Sequence, residues 1–197
     1  MAKKDAIIGL IIGFLIGVFL FIGLKTLQIH VSGSWLIILL FPPLTLLGLV
    51  VAAVIGKKFL AVWQLAKFFL VGALNTLLDL GVLNFLMWSS GVYTGVFFVL
   101  FKGTSFLAAA TNSYFWNKHW TFERRNGVFT EREYVKFLTI AAVGLLVNVG
   151  TAGIVVDVIG PQFGVPEQLW ANVGAFIAAF ASFIWNFIGS KFMVFKK

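Results

Sequence analysis

KFFLVGALNTLLDLGVLNFL, residues 67–86, is almost wholly apolar yet holds Asn75, Thr76 and Asp79 in its middle. A run of roughly 20 apolar residues has the length of a helix that crosses the ~30 Å hydrocarbon layer of a bilayer. At 1.5 Å of rise per residue, Asp79 lies ~18 Å beyond Lys67, close to the mid-plane. An ionised carboxylate there costs at least ~2.5–3.5 kcal/mol on insertion scales, so it must find a partner or become neutral. The stretch therefore predicts a membrane helix and a compensating group elsewhere.

The rest of the chain agrees with the first half of that reading. Of 197 residues, 60% are apolar and only 11% charged, against about a quarter charged in globular proteins. Six spans are predicted: Ala6–Leu24, Trp35–Ile55, Phe68–Trp88, Val96–Trp116, Phe137–Ile159 and Trp170–Gly189. The expected fold is an all-α polytopic transmembrane bundle. The first apolar stretch is longer than the core of a signal peptide and no A-x-A site follows it, so it is read as a retained helix. Pro42–Pro43 should kink the second span or delay the start of its helix. Gly9, Gly13 and Gly17, four apart on one stripe, predict a face where backbones come close, against the core or a second protomer; a substrate groove is the alternative.

Several chemistries fall away. There is no cysteine, which removes disulfides, thiolate metal sites and cysteine nucleophiles. His30 and His119 have no partner at metal-ligand spacing, no nucleophile–base set is apparent, and the sequence calls for no cofactor. The net charge of +8 comes from basic residues at segment ends. They suit anionic lipid headgroups better than nucleic acid, which is not expected as a partner. With the N terminus inside, all but Lys25 and Lys102 of the fifteen Lys and Arg residues lie on the cytoplasmic side. Both termini are then cytoplasmic by the positive-inside rule.

A period of about seventy residues runs through the last two thirds of the chain. The stretch from Lys67 parallels KFLTIAAVGLLVNVGTAGIVV from Lys136, and KHWTF at Lys118 parallels KFMVF at Lys191. This predicts two helical hairpins, 67–125 and 136–197, as parallel repeats. They form a four-span core over 61–197, with residues 1–60 an added two-span hairpin.

The only intramembrane cation available to Asp79 is Lys102, ~24 Å from Lys118 along its helix. An Asp79–Lys102 pair is therefore expected, either as a clamp between helices or as part of a path. Asn75 and Asn112 in the first repeat, and Asn148, Asn172 and Asn186 in the second, add amides to the interior. Ser105 shares a face with Asn112, and Gly144 stands where the first copy has Asn75. In NSYFWNKHWTF, residues 112–122, Trp120 should anchor at the interface. Lys118 and Lys191 should face headgroup phosphates, with Asn117 as a neutral donor. An ordinary aromatic-basic belt is the other reading.

The two motifs together resemble the GtrA-like family of small membrane proteins. The matching pattern is F-x-x-V-G-x-x-N-T-x-x-x-D at Phe68, Val71, Gly72, Asn75, Thr76 and Asp79. It continues as N-x-x-x-x-N-K-x-W-T-F at Asn112, Asn117, Lys118, Trp120, Thr121 and Phe122. A degenerate second copy ends in Lys191, Phe192 and Phe195. The family normally has four spans, so the first two here are extra, and Ser190 replaces Asn117 at the second exit.

The resemblance implies flippase-like movement of a polyprenyl-phosphate-linked sugar across the cytoplasmic membrane, in polysaccharide or glycolipid synthesis. The substrate-binding residues would be Asn75, Asp79, Lys102, Asn112, Asn117, Lys118, Trp120, Asn148, Asn186 and Lys191, with Arg124 or Arg125 adding to the basic rim. Expected partners are the lipid-linked sugar, anionic lipids and a membrane glycosyltransferase, and a homodimer is one way for four core helices to close a path. The alternative is a non-transporting dock for such a glycosyltransferase, using the loop Glu123–Lys136. A small drug exporter built on Asp79 is disfavoured by Lys102.

Overall fold

A computed structural model describes residues 1–26, 30–123 and 129–196 of the chain. Among these residues there are six long helices and no strand: α1 Lys3–Thr26, α2 Leu36–Gly56, α3 Leu60–Ser90, α4 Gly95–Trp116, α5 Glu131–Gly153 and α6 Glu167–Gly189. All six are long and apolar enough to cross a membrane. In hydrocarbon only a helix or a closed barrel satisfies its own backbone, which is why such apolar sequence folds this way. The chain is a multi-pass membrane protein. It forms two compact units, Met1–Arg125 and Asn126–Lys197.

In the first unit α1 packs on α2, α3 on α4, and both N-terminal helices on α3. The glycine stripe of α1 is a packing face, and α2 is what it meets. A Cβ on Gly13 would lie 2.8 Å from the Phe41 carbonyl and the Pro42 Cα, and one on Gly17 would lie 2.9 Å from Ile37 O. Thr45 Oγ1 crosses the contact to donate to the Gly9 carbonyl at 2.9 Å. Of the two effects expected of Pro42–Pro43, a kink or a late start, the late start does not occur, because α2 begins at Leu36 and runs through both prolines. Membrane helices tolerate proline where neighbours close around the freed backbone, and the glycine face of α1 lies against this stretch. Ile12, Ile16, Leu49, Val71, Leu74 and Trp120 form the buried centre of this unit.

Helix α3 is longer than its predicted span. Its 31 residues measure ~46 Å, and it starts eight positions before Phe68, so Lys67 lies within the helix. It ends at Gly91, whose φ of 70° lets its amide turn back to Met87 O at 2.9 Å.

Both repeat exits share one local form. The residues after α4, Asn117–Thr121, and those after α6, Ser190–Val194, each make a π-helical turn. The Phe122 amide donates to Asn117 O at 2.9 Å and the Phe195 amide to Ser190 O at 2.8 Å. The closing phenylalanine then meets the first phenylalanine of its own repeat, Phe122 against Phe68 at 6.2 Å and Phe195 against Phe137 at 6.1 Å between ring centroids. A third π turn, Ile154–Ile159, ends α5.

Candidate functional site

Asp79 and Lys102 meet. Lys102 Nζ donates to Asp79 Oδ2, and the fully buried Ser105 gives its hydroxyl proton to Asp79 Oδ1 at 2.6 Å. Ser105 stands three residues after Lys102, so one face of α4 delivers both donors to one carboxylate of α3. The Asp79 side chain is 21% exposed and that of Lys102 is 45% exposed. One turn down α3, Asn75 gives its Nδ2 to Val71 O at 2.7 Å and accepts from Asn112 Nδ2 at 2.8 Å. Asn112 is seven residues after Ser105, two turns along the same face of α4. The five side chains thus form two polar rungs between α3 and α4. The upper rung presents an acceptor and a donor to a half-open surface.

The exit turn differs from expectation. Lys118 does not face headgroups: it is 1% exposed, gives a proton to Tyr114 Oη at 2.9 Å and lies 5.2 Å from that ring's centroid. Trp120 is not an interfacial anchor either, since it is 2% exposed and its Nε1–H donates to Asp5 Oδ1 at 3.0 Å. Both lie in the π turn, which directs their side chains inward against the unit's own helices instead of outward to lipid or water. Asn117 is as buried, with Nδ2 on Ser113 Oγ at 3.1 Å. Among the described residues its Oδ1 and the Thr121 hydroxyl have no partner.

A cluster that the sequence did not reveal surrounds Lys67, which is fully buried. Its ammonium contacts Asp5 Oδ1 at 3.0 Å, Glu123 Oε1 at 2.8 Å and the Trp120 carbonyl at 3.1 Å. A span that starts at Phe68 leaves Lys67 at its end, whereas α3 begins at Leu60. A helix start one turn before Trp63 would have moved it inside.

The second unit carries less charge. Lys191 is partly exposed, with its ammonium 5.6 Å from the Phe187 centroid. Gly144, in the position of Asn75, is where Asn186 enters: a Cβ there would lie 2.6 Å from Asn186 Nδ2. Asn186 Nδ2 reaches Ser182 Oγ at 3.4 Å, and its Oδ1 is buried without a partner among the described residues. Asn148 is half-buried in α5. Arg124, Arg125 and the side chain of Asn172 lie outside the described residues, and so do residues 124–128 of the loop expected as a docking surface.

A family model for the GtrA/DPMS transmembrane domain matches residues 67–195. That covers most of the chain and begins and ends with the two repeats, so the chain belongs to this family. Comparison with curated proteins and with solved structures gave no match. The protein is a membrane protein of a family concerned with polyprenyl-phosphate-linked sugars.

Proposed function

We propose that this protein moves a polyprenyl-phosphate-linked sugar across the cytoplasmic membrane, with both termini on the cytoplasmic side. The observation that carries the reading is the half-open Asp79–Lys102 pair, backed by Ser105 and the Asn75–Asn112 rung. Ionisable groups at this depth are costly, and intramembrane acids and bases mark pathways by default. Asp79 already has Lys102 and Ser105, so its charge is compensated before any ligand arrives. What remains open is one face of a carboxylate and the further hydrogens of an ammonium, groups that suit sugar hydroxyls and a phosphate oxygen. The isoprenoid tail stays in lipid, against exposed residues such as Phe69 and Phe85. Lys191, the more open of the two exit lysines, is the basic residue that first meets the phosphate. A membrane glycosyltransferase that makes the lipid-linked sugar is the partner of this reading.

Reconstitution tests it. Liposomes containing the full chain should expose a labelled short-chain polyprenyl-phosphate sugar to the opposite face. Asp79→Asn and Lys102→Met, corrected for folded protein, should each slow that exposure at least tenfold. Vesicles that leave the label on its original side would leave the protein as a dock for a glycosyltransferase.

A further inference from the structure

The N-terminal helix does more than pack. Its Asp5, buried with the side chain 9% exposed, sits in a site whose side-chain donors belong to the first repeat. Lys67 Nζ and Trp120 Nε1–H both reach Asp5 Oδ1 at 3.0 Å, and the Ala2 amide donates to Oδ2 at 3.1 Å. The ammonium lies 4.6 Å from the Trp63 centroid and 5.5 Å from that of Trp120, so aromatic faces close the site. Two donors from different elements converge on one anion, which is how a protein holds a carboxylate or a phosphate oxygen.

The second repeat shows that the hairpin does not need this arrangement in order to fold. There Lys136 takes the place of Lys67 and is exposed, and Met193 takes the place of Trp120. The π turn and the Phe–Phe contact form all the same. A covered lysine with an indole donor is therefore a property of the first copy alone.

We propose that Lys67 and Trp120 form a phosphodiester-binding site at the membrane edge, with Asp5 as its built-in occupant. Asp5 stands two residues inside the start of α1, ~3 Å along the axis, at headgroup level, while Asp79 lies ~18 Å further along α3. The charge balance selects the ligand. A carboxylate and a phosphodiester each carry one negative charge, whereas a phosphate monoester carries ≈ −1.5 to −2. Glu123 already shares the lysine, with its side chain 60% exposed. Exchange of Asp5 for a diester keeps the balance, and a monoester overfills it. A lipid-linked sugar is a phosphodiester and the carrier left after sugar transfer is a monoester, so the site distinguishes loaded from unloaded lipid. The identity of that cargo rests on the translocation reading; the site itself does not.

The test is binding to the full chain in detergent. The probes are citronellyl-phosphate glucose, dihexanoyl phosphatidylglycerol, dodecyl phosphate and inorganic phosphate. If Asp5 is seated roughly nine tenths of the time, Asp5→Asn should tighten the diesters about tenfold. Dodecyl phosphate should gain less and inorganic phosphate nothing. The gain should vanish in D5N/K67Q, where no buried charge is left unpaired between positions 5 and 67. A stronger response to the isoprenyl probe assigns the site to cargo, and a stronger response to phosphatidylglycerol assigns it to bulk lipid; both support the site. No gain in D5N, an equal gain for the monoester, or a gain that survives K67Q overturns it. Because the chain has no cysteine, a fluorophore on Ala2→Cys gives a second readout with Asp5 intact. Its emission should shift as a diester displaces α1, and a silent signal at saturation overturns the proposal even if D5N fails to fold. Neither measurement uses transport, so each reading can fail without the other.

Discussion

Lys102→Met should destabilise the protein more than Asp79→Asn, although both remove the same ion pair. The Asp79 side chain is 21% exposed and that of Lys102 is 45% exposed. A short carboxylate cannot move to water, whereas a lysine stem can carry its charge toward the interface. Lys102→Met therefore strands a mostly shielded anion with the Ser105 hydroxyl as its remaining donor. Breaking a fully buried pair costs about 3–5 kcal/mol; the half-open lysine lowers this to about 2–3 kcal/mol. In Asp79→Asn, the amide oxygen still accepts from Ser105, and the freed lysine relaxes outward. The cost there is about 1 kcal/mol, that of a weakened hydrogen bond. The double variant carries no charge at either position and should recover much of the loss, with a coupling of about 1–2 kcal/mol. Denaturant titration in mixed micelles, followed by tryptophan fluorescence, measures all four corners of the cycle. Equal losses for the two single variants, or a coupling below about 0.5 kcal/mol, would refute the assigned geometry.

Two further substitutions probe the packing on which the site depends. Gly13→Val must push the α1 backbone off Phe41 and Pro42, 2.8 Å from the new Cβ; it should cost about 1–3 kcal/mol as overpacking, while Gly48→Ala, with nothing within 4 Å, stays neutral in the same unfolding assay. In the second repeat Gly144→Ala should collide with the Asn186 amide and lower the midpoint, and Asn186→Ser should restore it. Failure of that rescue would mean that Asn186 is not what fills the space over Gly144.

The Asp79–Lys102 pair was legible because a bilayer reduces the question to height. One acid and one base at nearby depths have few other options, and helical rise gives both positions. The repeat was legible for a related reason: Lys67 and Lys136, like Phe122 and Phe195, recur after about seventy residues in a chain whose helix lengths the bilayer fixes. The Asp5–Lys67 contact was not, since it joins residues far apart in sequence and no pattern states which helix end returns to which. Lys118 and Trp120 misled for a different reason. An aromatic-basic step after an apolar run fits a headgroup belt, but that inference assumes the α-helical turn continues. The π turn instead ends with Phe122 bonded back to Asn117, and the step is carried inside.

The second repeat is an internal control for the meaning of the charge in the first. In both copies one carbonyl of the leading helix receives an extra side-chain donor: Val71 O from Asn75 at 2.7 Å, and Ile140 O, at the matching position, from Trp185 Nε1 at 3.1 Å. In both copies a polar side chain also ties the two helices together, Asn112 to Asn75 at 2.8 Å in one and Ser182 to Gly144 O at 2.8 Å in the other. Lipid supplies no hydrophobic drive to hold helices together, so neutral contacts of this kind and close packing must do it. The second hairpin is held by them with Asn148 where the first has Asp79. An ionised pair at that depth is therefore more than the hairpin needs. Its insertion cost is understandable if the groups left half-open at Asp79 and Lys102 meet something other than the protein itself.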